Sequence, residues 1–263
     1  MSAPTTTHCI DAVDVKRANR RLYDAVAGDY EMVDGRRNPT LSAWLRSNLE
    51  RLAASHGRGL LLDIGSGCGF VTRAADGIFD RTVALDLSPR LLAESGPIAT
   101  HRIAADADVL PIASGSVNVV TCFAVIHHLF DTASLAWEVA RVLRPGGGFW
   151  SDHDMDAAFH DRFRWSLGLY RRLRGARHRY THASSAIDAR TYELAEFHES
   201  GVRSDNVARQ FREAGLSTTA AFHWFGLSTW ANRLFGRREL GRGWAPLLRL
   251  QATKSGGSLA EGN

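Results

Sequence analysis

The residues best placed to do chemistry lie in one run, Leu60-Leu61-Leu62-Asp63-Ile64-Gly65-Ser66-Gly67-Cys68-Gly69-Phe70. An apolar strand delivers a carboxylate, and three glycines spaced two apart then turn the chain into a helix. Glycine permits the tight turn and lets a ligand approach the backbone, because no Cβ intervenes. Parallel sheets bind ligands at the carboxyl ends of their strands, and this loop stands at such an end. A second carboxylate, Asp86, closes the next strand 21 residues after Gly65, where it suits two ribose hydroxyls. A third, Asp106, follows the third strand in Ala104-Ala105-Asp106-Ala107-Asp108-Val109-Leu110-Pro111. One acid at each of three successive strand ends points to a single cleft that takes a nucleoside.

The glycine spacing says which nucleoside. A dinucleotide fold places its last glycine three residues on, Gly-x-Gly-x-x-Gly, so that a helix start meets the pyrophosphate. Here the order is Gly65-x-Gly67-x-Gly69, and Phe70 stands where that glycine belongs. Asp63, two residues before the first glycine, is poorly placed for phosphate but reasonable near a cationic or amino group. The pattern favours S-adenosylmethionine over a nicotinamide dinucleotide.

Proton transfer needs a group that titrates near neutrality, and histidine is the natural one. His127 and His128 lie just past the fourth strand and His153 just past the fifth, so all three are candidate bases. The alternatives are a loop-bonding or packing role for His128 and a solvated loop position for His153. The run Asp152-His153-Asp154-Met155-Asp156 with His160 offers metal-type ligands. Its acids share a face only if the strand continues, and no EF-hand-like glycine follows, so no metal is expected.

These residues need a frame. Leu60–Ile64, Thr82–Leu87, Arg102–Ala105, Val117–Phe123 and Gly148–Asp152 read as strands; Phe70–Asp76, Pro89–Glu94 and Thr132–Leu143 read as helices. Apolar strands alternating with helices predict a doubly wound α/β sandwich with a mostly parallel sheet. The last helix stops at Arg144-Pro145-Gly146-Gly147. Helical stripes at Val15–Tyr30 and Leu41–Ala54 precede this core. After it come an arginine-rich stripe near Phe163–Arg179, a helix at Val202–Ala214, and strands at Thr218–Phe225 and Leu247–Thr253 joined by Gly226–Pro246 as a long connection. The expected domains are a helical lid (1–58), a cofactor core (59–156), a cap insertion (157–201), a closing helix and hairpin (202–254) and a Gly/Ser-rich mobile tail (255–263).

Composition sets the outer bounds. The chain has 263 residues, 44% of them apolar and 23% charged, which excludes a largely disordered protein. It contains no run approaching about 18 apolar residues, the length a membrane span needs. The N-terminus lacks a signal-peptide layout. Cys9, Cys68 and Cys122 are too scattered for a disulfide framework or a zinc cluster, so a reducing cytoplasm is expected. Residues 157–254 carry 17 basic against 8 acidic side chains, and residues 162–179 hold seven arginines and no acid. Such a surface suits an anionic acceptor; a solvated helix face is the plainer explanation.

In order along the chain, Tyr23-Asp24-x-x-Ala27-x-x-Tyr30-Glu31, Asp63-Ile64-Gly65-Ser66-Gly67-Cys68-Gly69, Ala84-Leu85-Asp86-Leu87-Ser88, Ala105-Asp106-Ala107-x-x-Leu110-Pro111, Val125-Ile126-His127-His128-Leu129 and Leu143-Arg144-Pro145-Gly146-Gly147 resemble the class I S-adenosylmethionine-dependent methyltransferases. The resemblance is particularly to the small-molecule group that includes the ubiquinone/menaquinone enzymes, and it covers roughly Tyr23 to Asp154. It implies the seven-stranded Rossmann-like methyltransferase fold. It also implies cofactor contacts from Tyr23, Tyr30, Asp63, Gly65, Ser66, Gly67, Gly69, Asp86, Leu87, Asp106, Ala107 and Phe123, with Asp106 taking the adenine amine. Where the family has Phe-Asp at the start of the fourth strand, this chain has Val117-Asn118, a packing variation.

The expected reaction is in-line methyl transfer to a small organic acceptor, at a hydroxyl oxygen, with nitrogen and carbon left open. Two rivals are a nucleic-acid methyltransferase and a non-catalytic cofactor-binding partner protein. Against the first, Ala124-Val125-Ile126-His127-His128 stands where an adenine-amine enzyme carries Asn/Asp-Pro-Pro-aromatic, and no RNA-binding module is recognisable. Asp63, Asp86 and Asp106 together speak against the second. The sequence gives no oligomeric state.

Overall fold

Five apolar runs form the parallel part of the sheet. In the computed structural model, which describes residues 10–30, 38–96, 99–174 and 187–256, β1 (Leu60–Ile64) pairs in parallel with β2 (Arg81–Asp86) and β4 (Val117–Phe123). β3 (His101–Ala104) extends the sheet beyond β2, and β5 (Leu143–Met155) beyond β4. β8 (Leu247–Lys254) runs antiparallel to β5 and pairs antiparallel with β6 (Leu216–His223), the closing pair that the sequence predicts. A two-residue strand, β7 (Glu239–Leu240), is added at that edge. The order among the described residues is therefore β3-β2-β1-β4-β5-β8-β6-β7, one short strand more than the seven expected.

Strand alternation sends successive side chains to opposite faces. Leu61, Val119 and Trp150 meet Leu41, Trp44, Leu45 and Leu49 of α2 (Pro39–His56), with Phe70 and Val71 of α3 (Phe70–Ala74). Leu62, Val120 and Phe149 meet Leu135 and Val139 of α5 (Ala133–Val142) and Val207 and Phe211 of α8 (Ser204–Glu213). Each such side chain taken fully out of water contributes about 1.5–3 kcal/mol. The Val117-Asn118 departure proves to be local fastening. The Asn118 side chain accepts from Leu60 N–H at 3.0 Å and donates to the His56 carbonyl at 2.9 Å, joining β4 to the start of β1 and the end of α2.

The N-terminal region divides differently from the expected lid of residues 1–58. The apolar stripe of α2 is buried against the sheet, so α2 belongs to the covering layer. α1 (Ala12–Val26), capped by Asp11, and its 3-10 turn Ala27–Asp29 lie over the strand ends. There α1 packs on α7 (Ala189–Ala195) through Leu22, Val26, Tyr192 and Ala195, with Ile187 beside them.

The Arg144-Pro145-Gly146-Gly147 segment ends α5 as expected, but it also begins β5, with a register shift between Val117 and Val119 of the neighbouring strand. A second irregularity falls between Asp152 and Asp154, where His153 adopts φ 72°. α6 (Ala157–Arg174) opens the cap and breaks its helical geometry at Phe163. His178, Tyr180 and His182, with the rest of 175–186, lie outside the described residues, as do Cys9 and the tail from 257. α4 (Pro89–Glu94) follows β2, and α9 (Thr229–Phe235) lies inside what the sequence reads as a long connection.

Candidate active site

A cleft of about 1020 Å³, counted to its open mouth, lies at the carboxyl ends of β1 to β4. The sequence-predicted residues that line it are Gly65, Ser66 and Gly67 after β1, Asp86 and Leu87 at β2, Asp106 and Ala107 after β3, Phe123 at the end of β4, His128 beyond it, and Tyr23 and Tyr30 from the lid. Gly69, Asp63, His127 and His153 do not line it.

All three glycines have left-handed backbones, with φ of 67°, 51° and 80° at Gly65, Gly67 and Gly69, a region that side chains disfavour. At Gly65 space is also lacking, since a Cβ would sit 2.4 Å from Val125 Cγ2. Gly69 thus shapes the turn into α3. Asp63 is buried behind the loop, where its Oδ1 accepts from Thr121 Oγ1 at 2.8 Å. That contact braces β1 against β4, and the Asp63 side chain stands behind the cleft wall.

Asp86 is held from below. Gly67 N–H donates to its Oδ2 and Ser88 N–H to its Oδ1, both at 2.8 Å, leaving each oxygen further lone pairs for ribose hydroxyls. Burial pushes this carboxyl above its usual range, against the pull of the Ser88 and Gly67 N–H groups. The Ser66 hydroxyl is buried in the cleft wall without a hydrogen-bond partner, a polar atom that a bound ligand can satisfy. Beyond β3, Asp106 Oδ1 accepts from Asp108 N–H at 3.0 Å, and its Oδ2 faces Lys16 Nζ at 2.7 Å. Lys16 and Asn19 are cleft residues that sequence reasoning missed, because nothing in a helical stripe marks which polar positions turn inward. The donor set fits an adenosyl amino acid: acceptors for the ribose and the adenine amine, and a backbone loop open to close approach.

The other end of the cleft is assembled from distant segments. His128 Nδ1 lies 2.8 Å from the Ala195 carbonyl, which can only accept, so Nδ1 carries the proton. Nε2 then accepts from the Tyr23 hydroxyl at 2.9 Å. Burial first, and then the charge of His127, push the His128 pKa down to about 4, so the ring is neutral at pH 7. His127, behind it, bonds through both its backbone N–H (3.0 Å) and Nδ1 (2.6 Å) to Asp154 Oδ1. Its Nε2 lies 3.6 Å from Glu196 Oε2 of the cap.

His153 is buried rather than solvated. Asp152 Oδ1 accepts from its Nδ1 and from His223 Nε2, each at 2.8 Å, while Asp152 Oδ2 meets Arg249 Nε at 2.9 Å. Burial alone would raise the Asp152 carboxyl, but His223 and His153 outweigh it and hold it far below the usual range. The His153 ring packs 4.5 Å from Phe123, which lines the cleft. The break at His153 gives Asp152 and Asp154 separate partners, Asp156 bonds to Ser204 Oγ, and Asp152 and His153 come together with His223.

A protein-family model described as "Methyltransferase domain" matches residues 62–151. The biotin biosynthesis bifunctional protein BioHC of Cellvibrio japonicus is 35% identical over 52% of this chain and 27% of its own length. The ubiquinone biosynthesis O-methyltransferase of Thiobacillus denitrificans is 28% identical over 60% of this chain and 64% of its own. This chain therefore spans less than two thirds of both curated relatives. Among solved structures, a Haloferax volcanii putative methyltransferase in complex with the Trm112 activator is similar with a TM-score of 0.57, at 20% identity, over 90% of this chain and 97% of that one. Residues 62–151 thus match a methyltransferase domain, the strand order agrees with the fold of the methyltransferase neighbours, and S-adenosylmethionine is the cofactor these likenesses support. None of its described helices is long and apolar enough to cross a membrane.

Proposed function

We propose that the protein transfers a methyl group to a hydroxyl oxygen of a small organic acceptor, with Tyr23 and His128 taking the proton. S-adenosylmethionine supplies a methyl group on a sulfonium, open to in-line displacement without a covalent enzyme intermediate. The chain's share is alignment, which can supply about 7–11 kcal/mol when the reacting atoms are held in place. Asp86, Asp106 and the glycine loop fix the nucleoside, and α1 covers it from above.

The observation that carries this reading is the Tyr23–His128 pair on the cleft wall. An acceptor hydroxyl next to Tyr23 passes its proton to that oxygen as the Tyr23 proton moves to His128 Nε2. A base with a pKa near 4 suffices, because an oxygen gaining a methyl group while still protonated becomes strongly acidic. His127 and His153 have no such access: one is turned to Asp154 and Glu196, the other packs on Phe123 outside the cleft lining. The similarity to a ubiquinone biosynthesis O-methyltransferase supports oxygen as the acceptor atom. An anionic group on the acceptor would suit the arginine-rich cap.

The test is a screen of hydroxylated, amino and carbon-acid acceptors with isotopically labelled cofactor, read by mass spectrometry. An O-linked label is the expected product, with loss of turnover in both Tyr23→Phe and His128→Gln. A label on nitrogen or carbon alone, or full turnover in both variants, contradicts the reading.

A further inference from the structure

His127 stays out of the cleft, yet its surroundings are more elaborate than packing requires. Its ring centre lies 3.8 Å from that of His128. Asp154, fully buried, takes both its backbone N–H and its Nδ1. Glu196 approaches from the cap, 3.6 Å from His127 Nε2 and 3.9 Å from His128 Nδ1, and His198 beside it donates its backbone N–H to the His127 carbonyl at 2.9 Å, its own pKa lowered by burial and then by His127. His128 is thus faced by His127 at its side, by the Ala195 carbonyl and Glu196 from the cap, by the Tyr23 hydroxyl from α1, and by Asp154 from β5.

Two carboxylates this near a buried imidazole favour its protonated form. A protonated His128 would have no lone pair on Nε2 and could accept nothing from Tyr23. We propose that His127 is a positioning residue that delays this: held as an imidazolium between Asp154 and Glu196, it absorbs both negative charges and keeps the adjoining ring neutral to lower pH. The distances favour this division, since Asp154 bonds His127 directly at 2.6 Å and Glu196 lies nearer to His127 than to His128. The repulsion of His127 is also among the causes that lower the His128 pKa, second to burial. Glu196 is 69 residues from His127, so the same contact fastens the cap to the core.

This inference rests on the reading of His128 as proton acceptor, and its test separates the two. The full chain, labelled with 15N-histidine, is titrated by NMR in the wild type, His127→Gln and His128→Gln, and kcat/KM is followed over the same pH range. In the wild type at pH 7, His127 should show the doubly protonated signature and His128 a proton on Nδ1 alone. In His127→Gln the His128 midpoint should rise by about one pH unit, and the acid limb of kcat/KM should rise with it. A neutral His127 in the wild type overturns the proposal, as does an unmoved His128 midpoint in folded His127→Gln. If that variant fails to fold, the wild-type spectrum decides. If His128→Gln retains full turnover, the proton-acceptor reading falls, while the His127 resonances still judge the inference itself.

Discussion

The two ends of the cleft are built by opposite strategies. The end proposed for the nucleoside comes from three consecutive strand-end loops, residues 65–67, 86–88 and 106–108, each fastened mainly by backbone N–H groups to a carboxylate. The acceptor end joins Tyr23 of the lid, His127 and His128 after β4, Asp154 of β5 and Glu196 of the cap through side-chain contacts between separate elements. Backbone donors in a local loop are insensitive to sequence elsewhere; side-chain contacts between elements can be rewired by changing any one of them. A shared cofactor with variable acceptors calls for that combination.

The largest expected effect lies at the acceptor end. His128→Gln should lower kcat by about 10²–10⁴-fold, the usual contribution of a positioned proton acceptor, with product-cofactor affinity changed only a few-fold. If affinity falls as steeply as kcat, the two ends are not separable.

Stability should carry the mark of the same ring. The folded His128 pKa is about 4, against 6.5 for the free side chain, so between those values the unfolded chain binds a proton that the folded one refuses. Stability should therefore fall as pH drops from 6.5 to 4 and level off below. The loss amounts to at most about 3 kcal/mol and should be absent in His128→Gln, as chemical denaturation across that range can show.

At the nucleoside end, Gly65→Ala meets both an unfavourable φ and Val125. Cofactor affinity should drop by about 2 kcal/mol or more, and Val125→Ala in the same chain should restore part of it, leaving about 1 kcal/mol of backbone strain. Equal binding by Gly65→Ala would show that the loop does not need its observed geometry. The smallest effect is expected for Lys16→Met. Its ion pairs with Asp106 and Asp108 are partly exposed and worth under about 1 kcal/mol, so product-cofactor affinity should change only several-fold and the difference should shrink in high salt.

The same contrast explains what the sequence reveals. β1, β4 and α4 have the bounds that periodicity predicts, and the nucleoside end is read from glycines and acids a few residues apart, because each contact is local. Asp63 is the exception there: beside the glycine loop in sequence, its Oδ1 accepts from Thr121 on the neighbouring strand, a pairing no local spacing reveals. Glu196 is invisible for the same reason at greater distance. α7 and α9 were legible in principle, since Asp188 and Ser228 accept from the N–H groups of Thr191 and Ala231 as N-caps. Their short length and the glycines and arginines around them hid the signal. His153 reads as a loop residue because a strand irregularity leaves no periodic trace; burial with Asp152, His223 and Arg249 is a product of the β5–β8–β6 pairing.

Calorimetric titration of the full chain with S-adenosylhomocysteine, wild type against Asp86→Ala, tests most directly whether the strand-end cleft is the nucleoside site. One binding event per chain in the wild type, weakened at least tenfold by Asp86→Ala, is the predicted result. Undiminished binding by Asp86→Ala, or none in the wild type, would contradict the assignment.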